Sequence, residues 1–200
     1  MPIKESLDRA VARRNLLEHP FYQAWSAGTL PVEALSTYAR EYGAFISLLP
    51  NAWATLHDTE TAQEEREHAE LWDDFAAALG THTAGKAKLP EVQALTATTA
   101  RLCADPASAA GALYAFEVQQ PATAQSKLAG LKTHYHLPAG VEPYFEIHSH
   151  NEHEARKLLA RIEALPADDQ SRAVQACSEM ADGLWNALTG IYGSDKMIDC

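Results

Sequence analysis

Four side chains interrupt otherwise apolar helical stripes in this 200-residue chain: His68, Glu117, His148 and Glu152. At helical spacing, His68 falls in register with Leu71, Trp72, Phe75 and Leu79, Glu117 with Leu113, Ala124 and Leu128, and His148 with Phe145. Glu152 follows His148 at i+4, so a continuous helix would stack the two on its core face. A buried carboxylate without a partner is strongly unfavourable, and an inward Glu therefore calls for a cation or a metal. Carboxylates and imidazoles from facing helices are the donors with which bundles hold iron or manganese. The other reading is a buried polar network in which Arg40 or Lys127 pairs with a carboxylate, and spacing alone leaves both open. Glu65 to His68 has the Glu-x-x-His spacing of ferritin-like sites, but only once, where that fold needs it twice. Glu64, Glu65, Glu67 and Glu70 read as a solvated charge run. His150 and His153 continue into Lys157 and Arg161 and read as surface.

These residues need helices to position them. Proline and glycine punctuate the chain, and between those marks apolar residues recur at three- and four-residue intervals. The pattern predicts helical segments near 5–17, 20–27, 31–57, 60–79, 89–103, 107–134, 141–163 and 168–191, with kinks at Pro50 and Pro121. No stretch alternates with the period of a strand. One stripe joins Leu35, Tyr38, Tyr42, Phe45, Leu49, Trp53 and Leu56. Another carries Cys177 among core residues, where a cysteine serves as a small hydrophobe. The expectation is one all-α domain over 1–200.

Composition narrows the function. With 46% hydrophobic and 22% charged residues the chain can fill a core, which excludes a disordered or fibrous class. A net charge of −11 lacks the counterion-release term that drives nucleic-acid binding. No apolar run approaches the ~20 residues of a membrane span, and the N-terminus has no apolar signal core. Three scattered cysteines fit a reducing cytoplasm. Cys200, in the final KMIDC, receives no role.

Six blocks in order, HPFYQAWSAGTL, LSTYAREYGAFISLLP, EHAELWDDFAAALG, LYAFEVQQPATAQSKLAGLKTHY, YFEIHSHNE and LWNALTGIY, resemble the TenA/PqqC/CADD group of heme-oxygenase-like proteins over essentially the whole chain. The resemblance is nearest to the CADD-like, iron-dependent branch. It implies a seven- or eight-helix bundle around a central pocket, one or two non-heme iron ions (manganese being the alternative) and no heme. The implied activity is an oxidase or oxygenase using dioxygen, of the kind that makes para-aminobenzoate for folate from a tyrosine and a lysine of the protein itself. By this resemblance the metal ligands are His68, Glu117, His148 and Glu152, the last standing where the group has Asp. Tyr22 and Lys127 match the tyrosine and lysine, and Tyr38 and Tyr42 the pocket tyrosines. The group's first Glu falls at Thr61, which leaves Glu60 beside it, or Glu64 one turn below His68, to serve. Its last His falls at Ala155, with His153 nearby.

Two other readings remain. A PqqC-like cofactorless oxidase would need several Arg or Lys residues in the pocket. A helical interaction protein with a degraded metal site needs none of this chemistry. The expected partners are dioxygen, a small-molecule or self-derived substrate and, in common with many bundles of this size, a second copy as a homodimer.

Overall fold

Proline sets the helix starts. Pro20, Pro50, Pro90, Pro106, Pro121 and Pro143 each sit in a first turn, where no N–H is needed and the fixed φ suits a helix. The computed structural model describes residues 2–196. In chain order it comprises α1 (Ile3–Ala12), a 3-10 turn (Leu16–Glu18), α2 (Pro20–Ser26), α3 (Val32–Ile46), α4 (Leu49–Thr55) and α5 (Thr59–Ala78). There follow α6 (Pro90–Leu102), α7 (Pro106–Glu117), α8 (Gln120–His134), α9 (Pro143–His148), α10 (His153–Glu163) and α11 (Ala167–Lys196). Among the described residues there is no strand, and no helix is long and apolar enough to cross a membrane. Cys200 lies outside the described residues.

The all-α expectation holds, but four of the eight expected segments are divided, the first of them between Ala12 and the 3-10 turn at Leu16. Pro50 and Pro121 open new helices, α4 and α8, where kinks were expected. The segment 141–163 breaks after His148 into α9 and α10. At that break the Ser149 hydroxyl donates to the Glu146 carbonyl at 2.7 Å, and Gln125 Nε2 of α8 donates to the Ser149 carbonyl at 2.8 Å. Side chains thus take over where the helical ladder lapses.

Two contacts fix the elements that carry the polar interior. At the start of α5, Asp58 accepts the Thr61 N–H at 3.1 Å and caps the helix. Lys157 of α10 reaches the Asp58 carboxylate at 3.0 Å and the Thr61 hydroxyl at 2.7 Å, so α10 is pinned to the first turn of α5. On the other side α11 packs most extensively along α7 and then α6, burying Cys177, Ala181, Leu184, Leu188 and Ile191. The closest approach is at Gly111 of α7, where an added Cβ would overlap the Ala173 carbonyl on α11. Gly111→Ala is therefore expected to lower stability by about 3 kcal/mol, at the upper end of overpacking costs, which urea unfolding will measure. A loss under ~0.5 kcal/mol would mean that the two helices separate freely.

Candidate metal centre

The interior polar residues cluster where helices end. Glu117 is the last residue of α7, His148 the last of α9, and Glu154 lies in the first turn of α10, while Glu65 and His68 share one face of α5. Two donor sets form, each with its ligand atoms within 4.8 Å of one another: Glu65, His68 and His148, and Glu65, Glu117 and Glu154. Glu65 belongs to both. The His68 and His148 rings lie 4.5 Å apart, and His68 Nδ1 is 3.3 Å from the Glu65 carboxylate.

His148 is oriented from behind. Its Nδ1 lies 2.7 Å from the Tyr144 carbonyl, which can only accept, so Nδ1 carries the proton and Nε2 presents a lone pair. That Nε2 has no hydrogen-bond partner. Metal-ligating histidines are held in this way, their second nitrogen donating to a backbone carbonyl. Tyr144 also stacks on the His148 ring at 4.1 Å, and its hydroxyl accepts from Gln120 Nε2 at 3.2 Å.

Most oxygens of the three carboxylates lack a donor at hydrogen-bond distance. Both oxygens of Glu117, both of Glu154 and one of Glu65 are buried and unpartnered. Burial, then the nearby Glu154 and Glu65 charges, holds the Glu117 carboxyl well above its ordinary range. Burial likewise raises Glu65, with Glu154 adding to the effect against the hydrogen bond from His68. Burial and the His68 charge push His148 down to about 3, so its ring is neutral at pH 7. Burial opposes charge on His68 as well, yet the Glu65 hydrogen bond and charge prevail and raise it. Three carboxylates and two imidazoles facing one another without a cation form a set that a metal ion completes, and this oxygen–nitrogen mixture suits iron or manganese.

Of the ligands expected from the sequence, the structure gathers His68, Glu117 and His148. Glu60 and Glu152 are exposed and stand outside the cluster. Glu60 precedes Glu65 by five residues, about 140° round the helix, and Glu65 takes its place. The charge-run reading of Glu65 fails for the same reason: its side chain is 1% exposed. Glu152 is displaced because α9 stops at His148 and a turn intervenes, so that Glu154, Leu158 and Ile162 form the buried stripe of α10. Glu65 had a signal in its Glu-x-x-His spacing. For Glu154 the only signal was the Ser149–His150–Asn151 run, weak in helix propensity. His150 and His153 are exposed, as expected.

The aromatic part of the interior holds a buried amine. Lys127 is 2% exposed, and its Nζ donates to the Tyr38 hydroxyl at 3.1 Å. It lies 5.3 Å from the Tyr22 ring, 5.4 Å from the Tyr38 ring and 4.9 Å from the Phe145 ring. Burial pulls it down to about 7, so a neutral amine is well populated at physiological pH. Phe21 sits between the two phenols, its ring 5.8 Å from that of Tyr22 and 5.0 Å from that of Tyr38. Burial pushes Tyr22 up to about 12 and raises Tyr38, Tyr42 and Tyr144 well above the ordinary phenol. Rings then run in contact from Tyr38 to Tyr42 (5.0 Å), Tyr42 to Trp72 (5.9 Å) and Trp72 to Tyr144 (4.7 Å), reaching the ring that stacks on His148. A cavity of about 380 Å³, lined by Lys4, Tyr114, Ala155 and Arg156, opens onto Glu117, with Glu152 at its wall.

Comparison with known proteins agrees with this chemistry. Residues 42–185 match the family of iron-containing redox enzymes. The chain is 30% identical to the 4-aminobenzoate synthase of Chlamydia pneumoniae, over 98% of this chain and 97% of that protein. A TenA homologue from P. horikoshii superposes with a TM-score of 0.78 at 16% identity, covering 96% of this chain and 99% of that one. A domain of unknown function with a heme-oxygenase-like fold from Shewanella denitrificans gives 0.75 at 14%, covering 98% and 91%. The two structures establish the fold; the family match, which spans every donor of the cluster, establishes that this chain belongs to the iron-containing redox enzymes.

Proposed function

We propose that the chain is an iron-dependent oxidase that forms 4-aminobenzoate, the product named for its relative from Chlamydia pneumoniae, drawing the ring from Tyr22 or Tyr38 and the amino group from Lys127. The observation that carries this reading is a fully buried lysine, without a counter-ion, held against two buried phenols. Iron bound by Glu65, His68, Glu117, His148 and Glu154, as one ion or two, supplies the activation of dioxygen. The chain's own residues do the rest. His148 presents Nε2 in its neutral form, and Tyr144 fixes the plane of its ring. Burial excludes water from Lys127 and brings it down to about 7, so a share of the nitrogen is unprotonated, the form in which an amine is a nucleophile. Tyr38 holds that nitrogen by one hydrogen bond and Tyr22 by contact with its ring.

The cofactorless alternative is not favoured, because Lys127 is the one buried cation among the described residues. The test is to load the metal-free chain with ferrous iron under anaerobic conditions, count iron per chain, admit dioxygen and follow both oxygen uptake and 4-aminobenzoate. Mass spectrometry of the spent chain is expected to place the change at Lys127 and at Tyr22 or Tyr38. A chain that takes up no iron, or consumes oxygen while both sites stay intact, contradicts the reading.

A further inference from the structure

The buried donors are closed off from water: Glu65, Glu117, His148 and Glu154 are each 0–1% exposed. A hydrated divalent ion cannot reach them without an entry path, which every such site requires. On the solvent side of α5 and α10 a cavity of about 280 Å³ is walled by Glu64, His68, His150, Asn151, His153 and Glu154. Within it the ligand atoms of Glu64, His153 and Glu154 lie within 4.8 Å of one another, a third donor set that contains no residue of the Glu65–His68–His148 set. Glu154 is wholly buried with neither oxygen partnered, and the buried Asn151 Oδ1 in the same wall also lacks a donor. The cluster is thus more than acidic surface, since polar atoms that no protein group satisfies line the cavity.

We infer that Glu64, His153 and Glu154 form an outer divalent-cation site that captures the ion from solvent and passes it to the buried centre through the shared Glu154 carboxylate. Two carboxylates match the charge of a divalent ion. The imidazole selects first-row transition metals such as Fe²⁺, Mn²⁺ or Co²⁺ over Mg²⁺ and Ca²⁺. Glu64 is half-buried and His153 exposed, so an ion from solvent meets these two first and Glu154 only on its way inward. Glu154 belongs both to this set and to that of Glu65 and Glu117, which makes it the bridge. Capture is a property of the outer residues alone, whereas passage inward rests on the proposed iron centre.

The full-length, metal-free chain is mixed anaerobically with Co²⁺, followed by its absorption and by bound metal per chain. The variant E64Q/H153Q is expected to fill the buried centre at least tenfold more slowly than the wild type while reaching the same final buried occupancy. E117Q, impaired in the buried centre, is expected to retain one ion, and adding E64Q/H153Q to it removes that ion. E70Q, an exposed acid on the same helix, is expected to change nothing. The inference is overturned if E64Q/H153Q fills as fast as the wild type, if E70Q slows filling equally, or if E117Q retains no ion. A wild-type chain whose sole ion survives E117Q and is lost in E64Q/H153Q supports the outer site and contradicts the proposed iron centre.

Discussion

Lys127→Met is expected to raise the stability of the fold by about 1–3 kcal/mol at pH 7 and, with Lys127 as the amino donor proposed above, to abolish formation of 4-aminobenzoate. The two effects have one cause. Holding this lysine at about 7 in place of 10.5 makes the folded state bind fewer protons than the unfolded chain and opposes folding by about 4 kcal/mol at pH 7, nearing about 5 kcal/mol below it. Methionine fills much the same volume and removes that opposition, while the lost hydrogen bond to Tyr38 returns about 1 kcal/mol. The sign with pH follows. The lysine's contribution is fully favourable only above 10.5 and is lost as pH falls through about 7, so the gap between variant and wild type is near its maximum at pH 7, levels off below it and closes toward pH ~10. Thermal melts across that range measure it. A variant less stable than the wild type at pH 7 would show that the surrounding rings stabilise the ammonium, and would remove the ground for a neutral amine.

Glu117→Gln weakens metal binding at the buried centre by at least ~100-fold, since removing even an outer-shell partner of a ligand costs 10–100-fold. In the metal-free protein the same change stabilises. Folded Glu117 holds its proton well above the ordinary carboxyl range because of burial and its acidic neighbours. Its stabilising contribution is therefore complete below about pH 4.5, where the unfolded chain is also protonated, and is lost as pH rises toward neutrality. Glutamine, always neutral, abolishes that loss. Melts at pH ~5 and ~7.5 should show the metal-free wild type falling behind E117Q at the higher pH. Saturating Mn²⁺ reverses the order, by about 2.7 kcal/mol at a hundred times Kd. If Mn²⁺ stabilises both proteins equally, Glu117 is not a ligand.

How much of this was legible in the sequence depends on the range of the interactions involved. His68, Glu117 and His148 stood in register with core residues, and a helix obeys its period wherever it continues, so their inward direction could be read. Glu152 failed because the period was carried across a turn. Two residues of slippage after His148 put Glu154 inside and Glu152 in solvent. Glu65 was hidden by company: its neighbours Glu64, Glu67 and Glu70 are not fully buried, and a run of like charges conceals the member that points inward. The pairing of Lys127 with Tyr38 spans 89 positions and has no local period at all. The helical stripe placed Tyr38 inward and the resemblance to a known family matched both residues, but only the fold shows them in contact.

The longest helix, α11, brings none of the clustered donors, although it packs on α7, α6, α3, α2 and α1. Scaffold and chemistry are thereby assigned to different stretches of chain. Along α11 the packing constrains side-chain volume and the clearance of Ala173 over Gly111, while its outward charges pair with Arg14 just past α1 and Arg101 of α6. The rest of its solvent face can drift, or acquire a partner, while the carboxylates and the amine keep their places. New surfaces can evolve on such a protein without renegotiating its reactivity.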